Sequence, residues 1–360
     1  MNTENLKKSL RKQRELTPIV DSDYLSTGST LLNLACSGRI DGGFLKGHYF
    51  FIVGDSASGK TFLSLTCLAE ASINPHFADY RFIYDSNECG AMMDIERFFG
   101  KAVAERLEPP NKEDGEDKAS QSVEEFYYNV DNAVQNEKPF IYILDSMDSL
   151  TSEAEVDKFS EKKKAFTQGK ETPGSYGDNK AKVNSANLRR LLGPLRESKS
   201  ILIILNQTRD NLGFGFEKKT RSGGHALRFY ATIEIWSSIK GKIDKTVRGK
   251  KRTLGIQAKL QIKKNRIVGR ERSVVVPIYY SYGFDDIGGC IDYLIEEGFW
   301  KEKAGNVRVL GMGPPATYRK EVLIRKIEEE GLEGDIKQLV QDLWEDIEKE
   351  CEVKRKKRYS

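Results

Sequence analysis

The segment Gly54-Asp55-Ser56-Ala57-Ser58-Gly59-Lys60-Thr61 has the most specific chemical pattern in the chain. It stands between an apolar run, 49–53, and a helical pattern over 62–71. Glycines at both ends let the backbone curl so that several N–H groups converge on phosphate oxygens. The helix that follows adds its positive N-terminal end. A lysine in the place of Lys60 reaches the outer phosphates, and a hydroxyl in the place of Thr61 helps hold Mg²⁺. Gly54, Asp55, Ser56, Ala57, Ser58, Gly59, Lys60 and Thr61 are therefore expected to cradle ATP with Mg²⁺.

Two acidic strand ends supply the rest of such a site. In Tyr142-Ile143-Leu144-Asp145-Ser146 an aspartate closes an aliphatic run, which suits a metal-holding carboxylate; the alternative is a helix N-cap. Hydrolysis also needs a group that orients or deprotonates water. Glu88, in Asp85-Ser86-Asn87-Glu88, is the candidate; the alternative is a solvated turn carboxylate.

The elements that must position these groups follow from the apolar runs. Residues 49–53, 81–84, 140–144 and 201–205 read as buried parallel strands, each followed by a polar turn and a helical pattern. That alternation predicts an α/β domain with a mainly parallel sheet. Ligands bind such sheets at the carboxyl ends of the strands, where all four runs here carry candidate residues. Segments 109–122 and 158–184 read as long loops, which in a compact domain are functional or disordered. Segments 257–263 and 273–279 predict antiparallel strands that extend the sheet. Segment 291–298 opens a helical C-terminal part, 322–350 reads as helical and acidic, and 354–358 is basic.

Composition narrows the class. With 38% apolar and 31% charged residues, a buried core under a highly charged surface is expected, and a net charge of +4 decides nothing alone. The five cysteines show no CxxC spacing, which argues against a disulfide framework or zinc site and for a reducing cytoplasm. No apolar run is long enough to cross a bilayer. Segment 5–14 is charged, unlike a signal peptide, and reads as a basic helix: a solvated leader or an arm onto a neighbouring subunit.

Beyond the cradle, the chain resembles the RecA family, and phage UvsX-type recombinases in particular. Leu25-Ser26-Thr27-Gly28-Ser29 precedes the core strand as in that family, and Ser37-Gly38-Arg39-Ile40-Asp41-Gly42-Gly43 is similar to the phage-type entry to the phosphate loop. Asn206-Gln207-Thr208-Arg209 follows the fourth strand, and Ser222-Gly223-Gly224-His225-Ala226-Leu227-Arg228-Phe229-Tyr230-Ala231 is the most family-specific stretch. Lys263-Lys264-Asn265-Arg266 resembles a further family motif. The resemblance implies a RecA-like ATPase core over 25–300, a short N-terminal helical arm over 1–24 and a small C-terminal helical region over 301–360 with a basic tail.

It also implies roles: Gln207 as sensor of the outermost phosphate, and Lys264 and Arg266 as the pair that crosses a filament interface to a neighbour's ATP. Positive charge there would meet the charge that builds up in phosphoryl transfer. DNA is expected at 151–184 and 210–224. The second loop offers Phe214, Phe216, Lys218, Lys219 and Arg221, with Arg209 just before it: aromatics to stack on bases and cations to meet phosphates. Residues 240–252 hold seven basic residues and one acid, a local charge of +6, and should cap a hairpin able to meet a phosphate backbone or remain a solvated turn.

The function so implied is an ATP-dependent recombinase that coats single-stranded DNA as a helical filament, pairs it with duplex DNA and exchanges strands. A single-strand-binding protein or a loader is a further partner class, and the setting is the cytoplasm, the host's if the source is viral. A ring-forming helicase and a weakly hydrolysing mediator are the alternatives. The chain also departs from the family pattern. Asn87 stands where the family's glutamate does, with Glu88 one place later; the segment after Asp145 is longer; and the tail is basic rather than acidic.

Overall fold

The computed structural model describes residues 19–87, 93–167, 179–210, 219–221 and 224–355, and the side chains of Ala165, Arg209, Asp210, Lys219, Thr220 and Arg221 are not described. The expected N-terminal helix thus lies outside the described residues.

The aliphatic runs form strands Tyr49–Gly54, Arg81–Ser86, Phe140–Asp145 and Ile201–Asp210. Among the described residues they sit in a ten-stranded sheet. Six neighbours run parallel, in the order Ile233–Val247, Tyr49–Gly54, Ile201–Asp210, Phe140–Asp145, Arg81–Ser86, Leu107–Glu108. Lys250–Asn265 and Ser273–Tyr279 extend it antiparallel, as expected.

Both sheet faces are covered, which explains why the runs are continuous rather than alternating. Phe50 and Ile52, Ile141 and Ile143, and Ile201 and Ile203 face one core. Tyr49, Phe51 and Val53, Tyr142 and Leu144, and Leu202 and Ile204 face the other. The first core includes the helix after the phosphate loop, Lys60–Ile73, and the second the helices Val123–Gln135 and Asn179–Glu197.

Several expected loops are more ordered than their composition suggests. Segment 109–122 is a hairpin, Asn111–Glu113 against Glu116–Lys118. Asp114 and Gly115 turn it with φ of +52° and +86°, the left-handed pair that a two-residue hairpin needs. Segment 158–184 is largely helical: Glu153–Thr167 and Asn179–Glu197 cover most of it, and 168–178 lie outside the described residues. Ser152 starts the first helix with a reciprocal cap, its Oγ accepting from Glu155 N while its own N donates to Glu155 Oε2. In 210–224, the strand Ile201–Asp210 runs on and pairs with Lys219–Arg221 as a hairpin. The basic segment 240–252 does cap a hairpin, turning at Arg248 and Gly249 between Val247 and Lys250.

The C-terminal helices Lys320–Glu330 and Glu333–Glu350 follow a three-stranded sheet, Lys301–Lys303, Asn306–Val309 and Ala316–Arg319, that the helical expectation omitted. Trp300, Val307, Leu323, Ile336 and Trp344 join the same apolar cluster as the main core. Asp286 adds a polar tie: it accepts from Thr30 N at 2.7 Å and Thr30 Oγ1 at 2.8 Å, with Lys337 Nζ 3.7 Å away.

Trp300 is 1% exposed and its Nε1 donates to Leu310 O at 2.8 Å. Trp300→Ala should therefore destabilise the fold by about 3–5 kcal/mol. A urea titration measures this as a lower midpoint.

Candidate functional site

The phosphate loop follows from close packing around two glycines. A Cβ at Gly54 would lie 2.3 Å from Ser237 O, so any side chain there would push the loop from the sheet. Gly59, at φ +93°, caps the helix Lys60–Ile73, and a Cβ there would meet Ile278 Cδ1 at 2.5 Å. The loop is held from within by Ser58 Oγ donating to Asp55 O at 2.8 Å, and from the sheet by Ser237 Oγ donating to Ser58 O at 2.7 Å. Lys60 is 8% exposed, and its Nζ donates to Gly54 O at 3.0 Å and Asp55 O at 2.8 Å. Ser56 and Ala57 form the exposed crest, Ala57 at φ +57°.

The strand ends meet around this loop. Thr61 Oγ1 donates to Asp145 Oδ2 at 2.7 Å, and Tyr84 OH donates to the same oxygen at 3.0 Å. The two residues expected to share a metal are thus in direct contact. Among the described residues no cluster of three or more His, Cys, Asp or Glu could hold a metal ion. Mg²⁺ here would depend on Thr61, Asp145 and the phosphates themselves, as is usual for this ion. Gln207 pairs in register with Gly54, placing its backbone beside the cradle.

Asp85 does different work. It is fully buried and accepts from Ser120 N at 2.9 Å, Ser120 Oγ at 2.6 Å and Tyr142 OH at 2.6 Å. Burial raises its pKa above the usual carboxylate range, outweighing these hydrogen bonds, which lower it. It fastens the strand end rather than opening toward the cradle. Glu88 lies outside the described residues, so its position relative to Asn87 is not described.

Lys264 and Arg266 sit at the other end of the sheet. Glu234, opposite Lys264, is in register with Phe51, three residues before Gly54, roughly 10 Å along the strand. Lys264 Nζ donates to Arg228 O at 2.6 Å and Phe229 O at 2.7 Å, and an Arg266 guanidinium nitrogen donates to Phe229 O at 2.7 Å. Arg228 Nε is 3.0 Å from the buried Glu234 carboxylate, and Phe229 is exposed. This cationic cluster is not brought to the chain's own cradle.

Of the expected DNA set, Phe214, Phe216 and Lys218 lie outside the described residues; Arg209, Lys219 and Arg221 are placed by backbone alone, in the paired strands of the hairpin.

Sequence reasoning missed two features. Tyr84 shows only as a polar aromatic in a buried strand, and its hydroxyl needed a partner. Tyr280 and Tyr282, both exposed, follow Ile278 in a turn beside the cradle: Ile278 packs at Gly59, and Gly283 at Phe62 of the following helix. No spacing pattern announces that proximity, because it is made by strand order.

A glycine-bounded loop from a parallel strand into a helix, with a carboxylate from a nearby strand on its hydroxyl, defines a P-loop α/β protein of the nucleotide-binding class. The RecA N-terminal domain model matches residues 6–285. The chain is also 28% identical to Protein RecA of Bacteroides thetaiotaomicron over 82% of this chain and 81% of that one. To Protein RecA of Chlorobaculum parvum it is 27% identical, over 93% and 88%, and to that of Chloroherpeton thalassium 29%, over 80% and 71%. The chain belongs to the RecA family, and its function is that of a DNA recombinase in recombination and repair.

The Lys264 ammonium has its pKa lowered to about 8, first by burial and then by Arg266 and Arg228, with Glu234 opposing. Between that value and the ordinary 10.5 the unfolded chain holds a proton that the folded one has lost, so stability rises with pH across this window. The urea midpoint of wild type relative to Lys264→Met should increase from pH 7.5 to pH 10. A flat difference would contradict it.

Proposed function

We propose that this recombinase is a DNA-stimulated ATPase that works as a helical filament on single-stranded DNA, pairs it with a homologous duplex and exchanges strands. The observation that carries this reading is the separation of two half-sites. The cradle, with Lys60, Thr61 and Asp145, is at one end of the sheet, and the cations Lys264 and Arg266 are at the other. A head-to-tail neighbour could bring the second half-site to the first.

The residues present fit ATP and Mg²⁺. Gly54 and Gly59 let the loop seat closely against Ser237 and Ile278, and Lys60 Nζ, held by the loop carbonyls of Gly54 and Asp55, would turn to the outer phosphates. Mg²⁺, when bound, would neutralise charge on the phosphate oxygens. Thr61 and Asp145 would hold it, and Tyr84 would keep the Asp145 carboxylate oriented. Glu88 would orient or deprotonate the attacking water, and Gln207, beside Gly54, would sense the outermost phosphate.

On the DNA side, the segment after Gln207 carries Arg209, Phe214, Phe216, Lys218, Lys219 and Arg221 in sequence, a set suited to holding a strand without sequence preference. The basic hairpin tip around Arg248 would add a salt-sensitive contact to a phosphate backbone. Residues 1–24 would serve as a subunit-contacting arm, 25–300 as the ATPase core and 301–360 as a C-terminal helical region with a basic tail, packed on that core through Val307, Leu323 and Ile336. The entry segment 37–43 supports a place near phage UvsX-type proteins, and a cytoplasmic site of action fits the scattered cysteines, which among the described residues form no disulfide.

The test is strand exchange with matched oligonucleotides, alongside ATP hydrolysis with and without single-stranded DNA. Wild type should form joint molecules and be stimulated by DNA. Glu88→Gln should lower hydrolysis about 10²-fold or more while DNA binding persists. Closed rings with no joint molecules would sink the reading.

A further inference from the structure

The second residue of the cradle, Asp55, carries the wrong charge for its place: a carboxylate beside a phosphate site repels the phosphate. The structure gives it a partner, for Thr208 Oγ1 donates to Asp55 Oδ1. A hydrogen bond to a charged acceptor is about twice as strong as a neutral one.

Thr208 belongs equally to another unit. Its backbone is in register with Arg221, where the hairpin Ile201–Asp210/Lys219–Arg221 begins, and the preceding Gln207 is in register with Gly54. One side chain therefore joins the cradle to the foot of the hairpin. Another tether of the cradle, Ser237 Oγ to Ser58 O, comes from a residue whose strand is paired on both sides at that point, with Gly54 and with Leu260. Thr208 lies beyond the register of its strand with Tyr49–Gly54 and Phe140–Asp145, which ends at Gln207 and Ile204, so among the described residues its register partner is Arg221 alone. A strain applied to the cradle thus meets a rigid support at Ser237 and a yielding one at Thr208, since sparsely paired elements open most readily.

We propose that Thr208 is a positioning residue that couples the nucleotide cradle to the DNA-facing hairpin through its hydrogen bond to Asp55. This rests on the nucleotide reading above. Each added phosphate charge acts on the Asp55 carboxylate, and the Thr208 hydroxyl passes the displacement to the hairpin's first residue pair. The link is separate from Gln207, which would meet the phosphate directly. Because coupling is reciprocal, whatever orders the hairpin changes nucleotide affinity by the same factor.

Amide hydrogen exchange of 206–210 and 219–221 tests this in the full-length protein without DNA. It is followed before and after saturation with Mg²⁺ and a slowly hydrolysed ATP analogue, with occupancy set by titration for each variant. Wild type should show a nucleotide-dependent change in exchange of about fivefold or more. Thr208→Val should abolish the change, and Thr208→Ser, which keeps the hydroxyl, should restore it. Thr208→Ala gives the same measurement if the valine variant does not fold. An undiminished change in Thr208→Val, or no change in saturated wild type, overturns the coupling while leaving nucleotide binding intact. The recombinase reading fails separately: a wild type that shows the change but binds no single-stranded DNA refutes that reading and supports the coupling.

Discussion

The architecture of the site depends on one close approach, the passage of the Ser237 carbonyl beneath Gly54. It is possible because glycine has no Cβ and because strand Ile233–Val247 lies parallel to Tyr49–Gly54 with Ser237 opposite Gly54. The contact seats the loop at the sheet end, and Ser237 Oγ then holds Ser58 O from the same side. With the loop so fixed, Thr61 arrives at Asp145, and Gln207 is set beside Gly54 from the opposite flank. A larger residue at position 54 would displace all of these together.

The strand-end carboxylates show how environment divides labour. Asp85 and Asp145 close strands that lie side by side. Asp85 is surrounded by donors from Ser120 and Tyr142 and is fully enclosed. Asp145 receives hydroxyls from Thr61 and Tyr84 and remains 7% exposed. The first arrangement stiffens a corner; the second leaves a carboxylate oxygen at the edge of the cradle, where an incoming ion could compete for it.

Much of this was legible from local pattern. The four parallel strands announced themselves because strands covered on both faces must be apolar throughout, and the phosphate loop because its glycines and lysine have fixed spacing. The family stretch from Ser222 to Ala231 carried part of the likeness to the RecA family that the comparisons upheld. What escaped was either masked by polarity or made by tertiary contact. The helix Glu153–Thr167 is so charged that it reads as loop, although Ser152 and Glu155 form its cap. The Asp114-Gly115 turn is a usable hairpin signal within a stretch that otherwise reads as loop. Tyr84, Tyr280 and the Thr208–Asp55 bond join residues distant in sequence, and no single-strand periodicity reports such pairings.

The opposed placement of the cradle and the Lys264–Arg266 cluster has a consequence for assembly. A contact that joins unlike surfaces does not close on itself unless a rotation happens to bring it round. In the proposed filament, subunits joined this way would form a chain with direction, in which one terminal subunit would offer an unanswered cradle and the other an unanswered cationic face. The two termini then differ chemically, so growth and loss of subunits need not proceed equally at both. Polarity of the whole assembly would thus be inherited from the orientation of six parallel strands within each subunit.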